Sequence, residues 1–122
     1  MTSKTNLTIN PQRLWDSLME TAKFGGTPKG GIRRLTVSDE DRRVRDWFKA
    51  ECEKLGCSVE VDEVGNMFAT RPGKNNGLLP IAMGSHLDTQ PTGGKTTACS
   101  ACWARWKRCA AWPTWATRPM RR

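Results

Sequence analysis

Apolar residues recur at helical spacing near the start of the chain. Leu14, Trp15, Leu18, Met19 and Ala22 share one face of a 3.6-residue period. Asn10-Pro11 gives that face a cap followed by proline at the first helical position, and Gly25-Gly26 stops it. A second helical face, Val44, Trp47, Phe48, Cys52 and Leu55, follows Ser38-Asp39-Glu40-Asp41, a capping-box start with acids in the first turn. Gly56 ends it. The period then changes: CSVEV at 57–61 and NMFATR at 66–71 read as two strands joined around Asp62–Gly65. Beyond the polar loop Pro72–Gly77, the nearly all-apolar LPIAMG at 79–84 predicts a buried strand in a sheet covered on both faces. The order is helix, helix, strand, strand, strand, an α/β arrangement without repeats. Its last strand delivers Ser85-His86-Leu87-Asp88 at the C-terminal end, where open α/β sheets build their sites.

Between the helices, TPKGGIRRL reads as a connector. Its glycines leave an anion cradle open as an alternative, although the spacing matches no phosphate loop.

At 122 residues, one small domain with a modest core is the upper bound. The net charge of +8 points to a nucleic-acid partner until it is located. Residues 95–122 hold seven Lys/Arg and no Asp or Glu, whereas residues 1–94 carry thirteen basic and twelve acidic side chains. Four of six Trp and three of five Cys also fall after Lys95. The N-terminal stretch lacks the apolar run of a secretory signal, and no segment approaches transmembrane length, so no membrane partner is expected. Cys52 and Cys57 show no disulfide spacing, and the expected compartment is the cytoplasm.

His86 is the only histidine. A lone histidine at a strand end is either a hydrogen-bonded structural residue or a metal ligand. Asp88, two residues on, is placed to fix its tautomer and basicity. Thr89–Gly94 then forms a tight, glycine-ended loop of the kind that brings backbone near a ligand.

GSHLDTQPTGGK resembles the metal-binding signature of the zinc-dependent amidohydrolases related to N-carbamoyl-L-amino-acid hydrolase, β-ureidopropionase and allantoate amidohydrolase, within the aminoacylase/carboxypeptidase-type metallopeptidase group. RLWDSL, TPKGGIRRLTVSDEDRRVRDWF, VGNMFATRPGKNN and IAMGSH resemble the same family in the same order, so the likeness covers residues 7–95. It implies the N-terminal part of a metallopeptidase-like α/β catalytic domain over residues 1–95. His86 would be a metal ligand and Asp88 the catalytic carboxylate that orients it. It also implies two zinc ions, a small-molecule amide substrate and a homodimer. No substrate-binding residue is assigned. The family places a metal-bridging aspartate three positions after the second glycine, then a glycine, an amphipathic helix and a pair of glutamates. Here position 97 is Thr and position 98 is Ala.

The departure has a translational explanation. Trp is encoded by TGG and Cys by TGC or TGT. Read one base earlier, any codon ending in that TG encodes Leu, Met or Val. Positions 99, 102, 103, 106, 109, 112 and 115 are then all apolar, with the three- and four-residue spacing of a buried helical face. Leucine at 103, glycine at 104 and glutamate at 107 are forced. Favourable third bases give KYDGVLSVLGALEALRSLADLGYETHAP, with an aspartate at 97 and a glycine at 98. One base lost after the Lys95 codon thus accounts for residues 96–122 as a frame-shifted, partly disordered basic tail.

Two rival readings of the tail remain. Cys99-x-x-Cys102 with Cys109 has zinc or redox spacing, but lacks a fourth nearby ligand. WARWKR interleaves aromatic and basic residues as a single-strand nucleic-acid surface does, which makes a small basic nucleic-acid-binding protein the alternative function. The main expectation is an inactive part of a metal-dependent hydrolase of linear amide or carbamoyl C–N bonds, with weak zinc affinity at most.

Overall fold

The structure, a computed structural model, describes residues 10–96. The chain forms α1 (Pro11–Thr21), α2 (Asp39–Lys54), β1 (Ser58–Val61) and β2 (Met67–Thr70) in that order. The tail expected to be out of register, residues 96–122, lies outside the described residues apart from its first.

Helix α1 begins as its sequence dictates. Asn10 is extended and its side-chain oxygen accepts the Arg13 N–H at 3.0 Å, satisfying one of the donors that a helix start leaves over. Leu18 and Ala22 are buried, and Leu14 and Met19 pack against the core. Trp15 departs from the predicted face and is 52 % exposed. It sits one position from Leu14, where a helix turns by about 100°, and the core contacts close over Leu14 and Leu18 instead.

Helix α2 starts on a variant of the capping box. Ser38 Oγ accepts the Asp41 N–H at 3.2 Å, while the Asp41 carboxylate reaches back to the N–H of Val37 at 3.1 Å. Val44 and Cys52 are fully buried and Phe48 nearly so. Leu18, Phe48 and Cys52 form the core, joined by Trp47, Val59, Met67 and Leu87. Phe24 and Trp47 bring their rings to 6.5 Å between centroids, tilted by 51°.

The hairpin is antiparallel, with Ser58 opposite Thr70 and Val61 opposite Met67. Its turn is organised by Asp62, whose carboxylate accepts the N–H groups of Val64 and Asn66 and the Asn66 side-chain amide. Arg45 on α2 donates to the Gly65 carbonyl at 2.5 Å and ties the turn to the helix.

Residues 79–84 do not form the predicted buried strand. Among the described residues the sheet consists of β1 and β2 alone, and Leu79 and Ile81 are 94 % and 63 % exposed. An apolar run becomes a buried strand only when neighbours pair its edges and layers cover its faces. The hairpin is too small to do either. No helix among the described residues is long and apolar enough to cross a membrane.

Candidate active site

The segment between the helices is more than a connector, and it cradles the chain itself. Residues 32–36 run alongside residues 87–93. Ile32 and Gly93 exchange backbone hydrogen bonds of 2.8 and 3.0 Å. The Arg34 N–H donates to Thr89 Oγ1 at 2.9 Å, and the Thr89 N–H donates to the Arg34 carbonyl at 2.7 Å. This pairing leaves no room for a side chain at the crossing. A Cβ on Gly31 would lie 2.8 Å from the Gly93 carbonyl oxygen. The glycine-ended loop expected to approach a ligand thus brings its backbone against residues 31 and 32.

Arg34 is fully buried. A buried charge is tolerated only when its donors are used. Its Nε donates to the Leu87 carbonyl at 2.8 Å, and its Nη1 to the carbonyls of Thr21 and Phe24 at 2.9 and 3.1 Å. Thr21 closes α1, so the guanidinium sits at the negative end of that helix. One side chain thereby links the end of α1 to the residue between His86 and Asp88.

The two predicted site residues meet. His86 Nδ1 lies 2.8 Å from Asp88 Oδ1, and Thr36 Oγ1 donates to Asp88 Oδ2 at 2.8 Å. Burial pushes the Asp88 carboxyl up, but the Thr36 hydroxyl and the His86 ring outweigh it and hold the group below its ordinary value. An ionised carboxylate only accepts, so Nδ1 carries a proton, and in the neutral ring that leaves the lone pair on Nε2. The His86 side chain is 60 % exposed. Both residues border an open cleft of about 830 Å³, whose lining also includes Thr36, Val37, Arg45 and Asn66.

Val37 turns the chain from Thr36 into the cap of α2 with φ 66°, a conformation rare for a β-branched residue. Its grip on the Asp41 carboxylate holds that bend.

An imidazole oriented by a carboxylate has the chemistry of a metal ligand. It supplies one donor, whereas zinc takes three or four protein ligands. Among the described residues, no group of three or more His, Cys, Asp or Glu is gathered to hold an ion. The pair therefore fits one corner of a metal site.

Known proteins give this geometry its setting. No family model matches the chain. It is 53 % identical over 90 residues to an N-carbamoyl-L-amino-acid amidohydrolase from Rhizobium meliloti, a match covering 74 % of this chain and 22 % of that protein. An N-carbamoyl-L-amino acid amidohydrolase from Geobacillus stearothermophilus is 36 % identical over 86 residues, covering 70 % of this chain and 21 % of its own length. Among solved structures, a hydantoinase/carbamoylase family amidase from Burkholderia ambifaria superposes with a TM-score of 0.84 at 44 % identity, over 88 % of this chain and 26 % of that one. Over most of its length, as the counterpart of one part of longer proteins, the chain belongs to the family of N-carbamoyl-L-amino-acid and allantoate amidohydrolases, the hydantoinase/carbamoylase amidases. It spans about a fifth of the length of the curated relatives it matches.

Arg34, Thr36 and Thr89 were not singled out by sequence reasoning. They lie outside any periodic run, and the contacts that tie residues 34 and 36 to residues 87–89 span more than fifty residues.

Proposed function

We propose that the described residues form the N-terminal part of a metal-dependent hydrolase of linear amide or carbamoyl C–N bonds in small molecules, of the N-carbamoyl-L-amino-acid type. The contact between His86 and Asp88, inside a stretch related to carbamoylases, carries this reading. His86 would hold zinc through Nε2, and Asp88 would keep the ring in the Nδ1–H form. Arg34 and Thr89 would fix the turn on which both stand. Zinc, when bound, supplies a polarised carbonyl and an acidified water. The reading extends to a homodimer in the cytoplasm.

Residues 96–122 are read as translated out of register, so the 122-residue polypeptide, with its single histidine, is expected to be inactive. Two measurements test this. Zinc titration of the chain should give weak binding and no ammonia from N-carbamoyl amino acids. Restoring one nucleotide after codon 95 of the gene should give a zinc-dependent activity that His86→Ala abolishes. Tight stoichiometric zinc binding by the 122-residue chain, or a restored frame without an aspartate at 97, would overturn the proposal.

A further inference from the structure

His86 can present either ring nitrogen, and which one carries the proton decides what the other can hold. Asp88 makes that choice only if its carboxylate stays in place. Two residues of spacing do not secure it. The terminal torsion of aspartate is broad and roughly two-fold, and the Asp88 side chain is 37 % exposed, so water competes for both oxygens.

The second oxygen is held from a distant part of the chain. Thr36 Oγ1 donates to Oδ2 at 2.8 Å while Oδ1 faces the imidazole. With a donor on each oxygen, the plane of the carboxylate has one orientation that satisfies both. Thr36 itself has little freedom. On one side Arg34 is bound through its N–H and carbonyl to Thr89. On the other, the Val37 N–H is bound to the buried Asp41.

We propose that Thr36 is a positioning residue for His86: its hydroxyl pins the Asp88 carboxylate so that Nδ1 keeps the proton and Nε2 stands bare. The purpose of that arrangement rests on the reading of His86 as a metal ligand. The arrangement itself does not. Thr36 is exposed, so its methyl and hydroxyl are not needed to fill the core.

With only one histidine in the chain, a long-range ¹H–¹⁵N spectrum of the labelled 122-residue protein reports a single imidazole. Recorded without metal at a pH where the ring is neutral, it should show the Nδ1–H form predominating. Thr36→Val removes the donor at nearly constant shape and should shift the ratio about fivefold toward Nε2–H, the effect of losing one ordinary hydrogen bond. Thr36→Ser keeps the hydroxyl and should restore the parent ratio. In an Asp88→Ala background, which leaves Thr36 nothing to hold, adding Thr36→Val should change nothing further. An unchanged ratio in Thr36→Val, a Thr36→Ser variant that behaves like valine, or an additive effect in the Asp88→Ala background would each overturn the proposal. Failure of His86 to hold zinc in the restored reading frame would sink the functional reading and leave the tautomer result intact.

Discussion

Asp62 does for the hairpin what Asp88 does for the histidine: one short carboxylate organises several donors. The Asn66 side-chain amide is the main influence holding its carboxyl below the ordinary value of 3.8; slight desolvation opposes it, and the N–H groups of Asn66 and Val64 add to it. A carboxyl depressed by folding stabilises the fold above its unfolded pKa, and that contribution is lost as pH falls through the folded value. Protection of the Val64 and Asn66 amides against exchange, relative to their intrinsic rates, should therefore be full above pH 3.8 and be lost as the pH falls below it. An Asp62→Ala variant should lack that pH-dependent loss. Equal profiles in the two proteins would refute this role. Asp62 and Gly65 were legible in the sequence because a turn between two alternating runs draws on a short list of residues. Arg34 was not. A basic residue in a loop reads as solvated, and its burial depends on three carbonyls that only the folded chain brings together.

Among the elements, both helices and the hairpin were legible because their signals are local: Asn10-Pro11, Ser38 with Asp41, and the alternation on either side of Asp62. The pairing of residues 32–36 with 87–93 leaves only a trace in the sequence, its glycines. Two other glycines, in the segment that leads to this pairing, are distinguishable by experiment. Gly25 has φ +84°, and a Cβ there would lie 2.4 Å from the Arg33 carbonyl oxygen, whose residue donates its own N–H to the Gly25 carbonyl. Gly30 has φ +80° with nothing within 4 Å. Gly30→Ala should cost about 1 kcal/mol, the left-handed penalty alone, and Gly25→Ala clearly more, because backbone must also move. Urea midpoints of the two variants give the order, and equal midpoints would mean that the crossing at Arg33 tolerates a side chain.

At the scale of the molecule, the residues that mislead are 79–84. Their composition reads as that of a covered segment, but composition does not supply the cover. Leu79 and Ile81, with Phe68 on β2, leave large apolar side chains in water. Replacing Leu79 and Ile81 together by Lys should reduce self-association, seen in light scattering, without changing the helical circular dichroism. Scattering that stays the same would place the adhesive surface elsewhere. The family was legible from residues 7–95 because its motifs are short and ordered. The reading of residues 96–122 depends on codons rather than contacts.

Ile32, Arg34 and Thr36 all precede the turn they secure, by 52 to 57 residues. A ribosome has therefore already made these supports when His86 and Asp88 emerge. A change of reading frame after codon 95, as proposed, would spare every one of them, so the in-frame and out-of-frame products would share the same supported pair of His86 and Asp88.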